Sequence, residues 1–315
     1  MNRRKFIFIL PLVILMFSIS INAYADDNTT SQYTLPYMRM GLGARALGMG
    51  SAFTAISDNI SATYWNPAGL ANIKGIELGS MYSANMGLDR TYNYAGIAKG
   101  FGFGTFAISW INAGWSDFQG AEGGVSTGTF NLNDHNVTVS YGTKLLKVLK
   151  IGCSAKAYLQ DIDNESESGF GFDAGLLYEL HPQFSLGLMM RDFVSSFGDD
   201  DLPYQANVGF AVKPFNFYKK HLAFLNDITI AGDIRKEQDE SDVNIGLGLD
   251  LAFGWKAISD LDVITSLRFG SNDANFTTGF GILFKMIEFN YAFTTDTSED
   301  KIFEDSHRLS LIVRF

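Results

Sequence analysis

Few residues of this sequence have the types and spacing that a catalytic or cofactor site needs. The histidines are isolated and lack the short spacing of zinc ligands. They are His135, His181, His221 and His307. Gly41-Leu42-Gly43 followed by Ala46 resembles part of a dinucleotide-binding loop, but no strand–helix–strand pattern surrounds it, and no Gly-x-Ser-x-Gly motif occurs. The sequence therefore predicts no enzymatic activity, no metal and no cofactor.

Ionisable residues of both signs recur at alternate positions within otherwise apolar segments. The residues in this register are Lys156, Asp173, Glu179, Arg191, Asp227, Asp233, Arg235, Asp250, Arg268, Glu288, Arg308 and Arg314. Two roles fit them: a polar conduit, or a structural network in which the charges satisfy one another and an enclosed segment. An ion-selective pore usually carries one sign of charge, so the mixed signs favour the network.

The elements that position these residues are strands, because period-two alternation runs from Gly75 to the C-terminus. Residues 169–180 and 243–254 alternate large apolar side chains with glycine, small or charged ones. A soluble sandwich also alternates, but its solvent face is rich in Lys, Glu and Thr rather than glycine. Strand lengths of about 10–12 residues suit a tilted strand that crosses a bilayer. We predict an all-β fold, a transmembrane antiparallel β-barrel with an N-terminal hatch inside its lumen.

The alternating segments number about fourteen. They are 75–86, 92–99, 103–113, 134–145, 150–161, 169–180, 184–194, 203–213, 225–235, 242–254, 261–270, 274–285, 287–295 and 306–315. An even number places both ends of the barrel on one side of the membrane, which we assign to the periplasm because its connections are short. The longer connections are rich in Asp and Glu, which indicates either solubility or divalent cations that bridge to anionic glycolipid. These expected external loops are 114–133, 162–168, 195–202, 236–241 and 296–305.

The first 25 residues have the pattern of an export signal. Arg3, Arg4 and Lys5 precede the apolar run 6–17, and Ala23-Tyr24-Ala25 forms a small-x-small cleavage site. Removal of this segment leaves 21 Lys and Arg against 34 Asp and Glu, an acidic excess that argues against a nucleic-acid partner. We expect a bacterial outer-membrane protein, exported by this signal peptide, with both mature termini in the periplasm.

Residues 26–74 differ from the rest because the period-two alternation is absent. The stretch is rich in Gly and Met, and its apolar residues need a surface to pack on. We interpret it as a hatch within the barrel formed by residues 75–315. If the protein takes up lipid, the inward barrel face is too polar to bind it alone, so apolar hatch residues are expected to contact the ligand. The candidates are Leu42, Leu47, Met49, Phe53 and Trp65.

Two stretches of sequence resemble the PorV/PorQ family, relatives of the FadL long-chain fatty-acid transporters. The first comprises 43–53, 57–59 and 64–70, and the second comprises 291–293, 305–311 and 314–315. Ser51 departs from the glycine that is common in the family. The resemblance implies a 14-strand barrel plugged by an N-terminal hatch with an Asn-Pro-Ala motif. The hatch-motif residues in these stretches are Arg45, Asp58, Asn66, Pro67, Ala68 and Gly69. The terminal Phe315 resembles the signal that barrel-assembly machinery reads.

Three functions stay open at this point. FadL-type relatives pass hydrophobic molecules across the outer membrane, which is the function we favour. PorV-type relatives serve protein secretion, so a component of a type IX-like system that binds cargo or a translocon is the alternative. A structural or surface barrel without cargo is the third. The corresponding partners are outer-membrane lipid, a hydrophobic ligand or detergent, and secretion-system proteins.

Overall fold

The chain forms a closed antiparallel barrel of fourteen strands, in which each strand pairs with its sequence neighbours and β14 pairs with β1. A computed structural model describes residues 35–84, 90–122, 125–163, 165–199, 201–214, 225–238, 243–255, 262–273, 275–295 and 306–315. The predicted barrel and its strand number are therefore confirmed. The division into residues 1–25, 26–74 and 75–315 stays a prediction, since residues 1–34 lie outside the described ones.

Most strands coincide with the alternating segments of the sequence. The strands are β1 (Ile76–Ala84), β2 (Arg90–Phe101), β3 (Gly104–Glu122), β4 (Val125–Lys144), β5 (Leu149–Ile162), β6 (Glu165–His181), β7 (Phe184–Phe197), β8 (Gln205–Val212), β9 (Leu225–Glu237), β10 (Val243–Gly254), β11 (Val263–Asn272), β12 (Asn275–Phe284), β13 (Ile287–Thr294) and β14 (Ser306–Arg314). We call the end where β1 begins and β14 finishes the near end, and the opposite end the far end.

One expected loop is wrong: most of residues 114–133 continues β3 and β4. The two strands pair with each other well beyond the points where β2 and β5 pair with them, at Trp115 and Leu132. This ribbon is rich in Gly, Ser and Asn and has no apolar alternation. Apolar alternation arises in a strand when one of its faces is buried or contacts lipid. A ribbon that projects past the barrel wall has no such face, so its sequence need not alternate. The expected loop 162–168 is also shorter than predicted, since β5 and β6 are separated by residues 163 and 164 alone, whereas the connections after β7, β9 and β13 are within one residue of the expected length.

The outward faces of the strands carry large apolar side chains that are exposed. Ile108 is 54% exposed, and Leu188 and Phe280 on the other strands are similarly open. Inward positions on the same strands are buried and mostly small or polar. An apolar exterior around a polar, packed interior is the reverse of a soluble protein and is typical of a barrel that crosses a bilayer.

Residues 35–74, which we call the inner segment, lie inside the barrel. The segment contains two 3₁₀ helices, Pro36–Arg39 and Pro67–Asn72, and two single-turn α-helices, α1 (Ala44–Leu47) and α2 (Ala62–Trp65). It enters the described structure in the far half of the lumen and leaves at the near end, where β1 begins. No helix in the described part of the chain is long and apolar enough to span a membrane.

Glycines on the barrel wall let the inner segment approach closely. A Cβ atom on any of them would meet atoms of the inner segment at 3.2 Å or less. This glycine belt consists of Gly79, Gly96, Gly100, Gly142, Gly152, Gly175, Gly187, Gly209, Gly246, Gly248, Gly270 and Gly279. Gly50 completes the contact from the other side: its φ is +61°, and a Cβ there would collide with the carbonyl oxygens of Ser271 and Leu247. The glycine richness of the sequence thus has a packing cause.

Gly248→Ala tests whether the glycine belt is needed for close packing, and Gly254→Ala on the same inward face of β10 is the control. A Cβ at Gly248 would overlap the Met49 carbonyl, whereas one at Gly254 would lie 3.7 Å from its nearest neighbour, an ordinary contact. We expect Gly248→Ala to lower the free energy of unfolding by about 1–3 kcal/mol, the usual cost of overpacking, and Gly254→Ala to leave it nearly unchanged. Urea unfolding in detergent micelles measures both, and equal midpoints would contradict the belt.

Candidate functional site

The inward carboxylates bind backbone N–H groups of the inner segment. Asp233 on β9 accepts hydrogen bonds from the N–H groups of Phe53 and Thr54, at 3.0 and 2.9 Å through the same oxygen. Glu77 on β1 accepts one from the N–H of Ile60 at 2.5 Å. Irregular backbone has no partners within a regular helix or sheet, so an enclosed segment needs such acceptors.

The inward arginines bind carbonyl groups of the same segment. Arg191 donates to the carbonyl of Tyr64 at 2.9 Å, Arg308 to that of Met40 at 2.9 Å, and Arg235 to that of Ser51 at 3.2 Å. Hydroxyl groups contribute as well, and Ser185 donates to the carbonyl of Ala55 at 2.8 Å. The charges predicted on the inward face therefore form a docking surface for backbone, which favours the structural network over an ion conduit.

A chain of charged and amide groups joins the inner segment to five strands, β10, β11, β13, β14 and β1. It starts inside the segment, where Arg45 pairs with Asp58 at 2.7 Å and with Asp250 of β10 at 3.4 Å. Asp250 also binds Arg268 of β11 at 3.2 Å, and Arg268 donates to Asn290 of β13 at 2.8 Å.

The chain then returns to the inner segment across the seam where the barrel closes. Asn290 donates to Glu288 at 3.1 Å, and Glu288 pairs with Arg314 of β14 at 2.8 Å. Arg314 pairs with Glu77 of β1 at 2.9 Å, and Glu77 holds the N–H of Ile60. Because residues 58 and 60 are almost adjacent, the chain forms a closed ring, which we call the charged ring.

β12 lies between β11 and β13 but contributes no charged partner to the charged ring. Its inward residue at this height is Gly281. A Cβ on Gly281 would lie 2.7 Å from the Arg268 guanidinium and 2.8 Å from the Asn290 side-chain oxygen. Gly281 therefore leaves the space through which Arg268 reaches Asn290. Period-two alternation places Gly281 on the inward face, but it does not distinguish this glycine from any other small inward residue.

Arg45 and Asp58, both expected in the hatch motif, stabilise each other's charged forms. Burial disfavours the guanidinium of Arg45, but Asp58 and Asp250 outweigh it and raise the pKa of Arg45 above its ordinary value. Burial likewise raises the pKa of Asp58, yet Arg45 and Lys213 pull it below its ordinary value overall. A carboxyl with a lowered folded-state pKa stabilises the fold above its unfolded pKa and loses that contribution only as the pH falls through the lowered value.

The Asn-Pro-Ala-Gly motif anchors the inner segment at the near half of β4 to β6. Asn66 caps the second 3₁₀ helix by accepting from the N–H of Ala68 at 3.2 Å, and it donates to the carbonyls of Thr54 and Leu176 at 3.0 Å. Pro67 occupies the first helical position, where its missing N–H costs nothing. Gly69 passes so close to Ser57 that a Cβ would collide with its carbonyl.

The five apolar residues expected to contact ligand form the core of the inner segment. Leu42, Met49 and Phe53 are fully buried, and Trp65 and Leu47 nearly so. The Trp65 indole donates to the Leu42 carbonyl at 2.7 Å, and its ring lies edge-on to Phe53 with 6.4 Å between centroids. None of the five lines the cavities described below, so ligand contact by them stays a prediction that requires the segment to rearrange.

Two cavities lie at the near end beneath the inner segment, one lined mainly by polar groups and one with a mixed polar and apolar lining. One, of about 370 Å³, is bounded by the charged ring, including Arg45, Asp250 and Arg314. The other, of about 450 Å³, lies by the β6–β7 turn and includes Glu179 and Gln183. Asp58 and Lys213 line both cavities and so stand between them.

A second charged cluster lies in the wall between β5 and β7. Lys156 contacts Asp173 and Asp192, each at 2.6 Å, and Tyr158 donates to Asp192 at 2.5 Å. Alternation along β7 would point Asp192 outward, as it does Met190. A bulge opposite Asp173 brings Asp192 inward instead, with a φ of +53°, a conformation that Asp tolerates. Sequence patterning therefore missed this residue, and it also passed over Glu77, whose inward position the alternation does indicate.

Phe315, the predicted assembly signal, lies at the near end and continues the seam. Its backbone exchanges two hydrogen bonds with Ile76, at 2.8 and 3.1 Å, and its side chain is 67% exposed. The contacts place the terminal residue in the sheet, and its recognition by assembly machinery stays a prediction.

Asp233→Ala should loosen the inner segment around Phe53 and Thr54. The substitution leaves two buried N–H groups without their acceptor, at a cost of about 1–3 kcal/mol for an unsatisfied group. We expect faster amide exchange in a peptide that covers residues 50–57, measured by hydrogen–deuterium exchange with mass spectrometry. Asp227→Ala removes the same charge from the same strand without touching the segment, because Asp227 accepts only from the N–H of Ile228 among the described bonds. Equal exchange in the two variants would contradict the assignment.

A double-mutant cycle tests whether the charged ring acts as a unit. Asp250→Asn and Glu288→Gln remove charges that are joined through Arg268 and Asn290, so their effects on unfolding should be non-additive by about 0.5–3 kcal/mol. The control cycle pairs Glu288→Gln with Asp233→Asn, four strand spacings of about 4.8 Å away. The control should be additive within about 0.5 kcal/mol. Additivity in both urea-unfolding cycles would contradict a coupled ring.

Comparison with known proteins locates this architecture among solved structures. No protein-family model matches the sequence, and none of the curated proteins matches it either. The Ralstonia pickettii toluene transporter TbuX aligns with a TM-score of 0.59 and 12% identity over 87% of this chain and 98% of its own. The Pseudomonas putida toluene transporter TodX aligns with a TM-score of 0.61 and 11% identity over 87% and 97%.

A Pseudomonas aeruginosa FadL homologue aligns over 87% of this chain and 98% of its own, with a TM-score of 0.53 and 10% identity. Identities this low establish a shared fold and nothing finer, so membership of the PorV/PorQ family stays a prediction. The chain has the barrel fold of these toluene transporters and of the FadL homologue.

Proposed function

We propose that this protein is a bacterial outer-membrane barrel through which hydrophobic molecules cross, and that the inner segment is its gate. The observation that carries the proposal is that the segment fills the lumen through close contacts and polar bonds with the wall. It reaches every strand, from Glu77 on β1 to Ser310 on β14, and α1 lies against β13. The apolar exterior and the fold shared with toluene transporters support the membrane location and the class of cargo.

The docking contacts suit a part that has to move. Each bond to a charged wall group contributes about 1.5–3 kcal/mol net, so the segment can be released through a sequence of separate exchanges with water. The wall behind it is mostly small or polar, with a few apolar side chains such as Met81, Tyr94 and Ile111, whereas most of the large apolar side chains of the lumen belong to the segment itself. Displacement would therefore expose Phe53, Leu47 and their neighbours, and an apolar surface for cargo would form as the passage opens.

The cargo class proposed here is small hydrophobic molecules, with toluene as the first probe because two proteins of the same fold are toluene transporters. A long-chain fatty acid is the second probe, given the resemblance to FadL-type transporters. The secretion and cargo-free alternatives predict uptake of neither probe, and the secretion alternative further predicts co-purification with exported protein or a translocon.

A disulfide between the inner segment and the wall should stop transport. The Cβ of Ile60 lies 3.7 Å from the position of a Cβ on Gly79, a separation that suits a disulfide. We expect Ile60→Cys with Gly79→Cys, in a Cys153→Ser background, to block uptake of labelled toluene or oleate when oxidised and to recover it on reduction. Initial uptake rates in cells that lack other transporters for these probes provide the measurement.

The matched control places a disulfide within the wall alone. Ser140 and Ser154 are partners across β4 and β5, and their hydroxyl oxygens lie 2.7 Å apart. Ser140→Cys with Ser154→Cys should form a bond that leaves the inner segment free and uptake unchanged. Equal uptake by the oxidised and reduced segment-to-wall variant would refute the gate, and absence of uptake by the unmodified protein would refute the transport proposal itself.

A further inference from the structure

Polar side chains form a row on the outward face of β1 to β4, which is mainly apolar between this row and the near end. The row runs across paired positions of neighbouring strands. Its members are Tyr82, Asn93, Asn112 and His135, with Trp110 and Asn133 beside them. We call it the far row. One step toward the near end, the paired outward residues are Ser80, Ala95, Trp110 and Val137, and the face is mainly apolar from there on.

The far row is an organised surface. Asn112 donates to the side-chain oxygen of Asn133 at 2.7 Å, and the Trp110 indole donates to His135 Nδ1 at 3.2 Å. The Trp110 and His135 rings are stacked, with centroids 5.8 Å apart. Trp110 and Tyr82 are 40% and 54% exposed. Neither the side chain of Asn93 nor the side-chain oxygen of Asn112 takes part in any described hydrogen bond, so both keep capacity for an outside partner.

The height of the row on the barrel places it at the edge of a bilayer. At the near end of the same sector, Phe101, Phe103, Phe106 and Tyr141 form an exposed aromatic cluster, as expected at a membrane interface. Asn112 is nine residues beyond Phe103 along the chain. With a rise of about 3.3 Å per residue and a strand tilt of about 40°, the row lies about 23 Å above the cluster, close to the height of the apolar band of such barrels.

The two edges of this sector differ in chemistry. Exposed lysines accompany the near edge, where Lys99 lies over the ring of Phe101 at 5.3 Å and Lys144 and Lys147 are open. Lysine suits the phosphate groups of phospholipids. The far row has no lysine or arginine; it offers amides, an imidazole, a phenol and an indole face. Hydroxyl-rich sugars suit that set of donors, acceptors and flat apolar rings better than phosphates do.

We propose that the far row binds the sugar headgroup of a glycolipid in the far leaflet. The inference rests on the membrane location in the proposed function but does not depend on transport. A polar, uncharged row at the sugar side and lysines at the phosphate side also fit an asymmetric membrane, with the near end toward phospholipid. The sugar would satisfy the amide groups that lipid tails would leave unpaired, which is costly in an apolar medium.

The test uses native mass spectrometry of the whole protein purified in mild detergent and offered rough lipopolysaccharide, a glycolipid with a short sugar core. Asn112→Leu with His135→Leu removes the centre of the row and keeps the outward face apolar. We expect retained glycolipid to fall about tenfold, the equivalent of one or two lost hydrogen bonds, with unchanged retention of phosphatidylglycerol. Trp110→Ala, which removes the stacking surface, should give a similar loss.

The matched control is Ser80→Leu, a polar-to-leucine change on the same outward face one row nearer the middle. It should retain glycolipid as the unmodified protein does. Equal retention by the control and the double variant, or no glycolipid on the unmodified protein, would overturn the proposal. A dimer that the double variant converts to monomer would overturn it too, because the row would then contact a second copy. Uptake assays separate the two proposals. The double variant should still take up the probes of the transport assay. If the unmodified protein takes up no probe, the transport proposal fails and the glycolipid result is unaffected.

Discussion

The interior of this protein depends on the close approach between an irregular backbone and the barrel wall. A segment with only short helical turns leaves many N–H and carbonyl groups without partners in its own backbone, and these groups need partners once the segment is enclosed. The wall must therefore come near enough to bond them, and side chains at every inward position would hold it away. The glycine belt removes those side chains along one path, and the inward charges between the glycines supply the bonds. Packing and polarity of the wall are thus two consequences of one requirement.

The same requirement explains why the charges are mixed. A backbone offers donors and acceptors in equal number, so a wall that binds it needs carboxylates for the N–H groups and arginines for the carbonyls. Asp233 and Arg235, two positions apart on β9, illustrate this division, since one binds N–H groups of the segment and the other a carbonyl. The charges left over pair with one another, and the charged ring is the longest such set described. A lining of one sign could not serve the segment in this way.

The barrel could be predicted from sequence because each membrane-facing strand repeats one constraint over ten or so positions. Prediction failed where the constraint was absent, in the ribbon beyond Trp115, and where the backbone broke the period, at Asp192 on its bulge. Inside the lumen, the sequence indicated which residues are apolar and which are charged. It could not indicate that Arg45 finds both Asp58 and Asp250, because an irregular segment has no period from which partners follow. The sequence indicated that Phe53 and Trp65 need a surface to pack on, but it did not indicate which residues they contact.

The seam between β1 and β14 is where the barrel wall closes and where the inner segment is held. Glu77 lies five residues past the last helical turn of the inner segment, which ends at Asn72, and accepts from the N–H of Ile60, while Arg314 pairs with Glu77 across the seam. A chain that closes its barrel brings Arg314 to Glu77 and so completes the site that holds residue 60. Docking of the segment and closure of the sheet therefore share a residue pair, and each favours the other. For the same reason, loss of the contact between Ile60 and Glu77 removes a partner of the residue pair that closes the barrel.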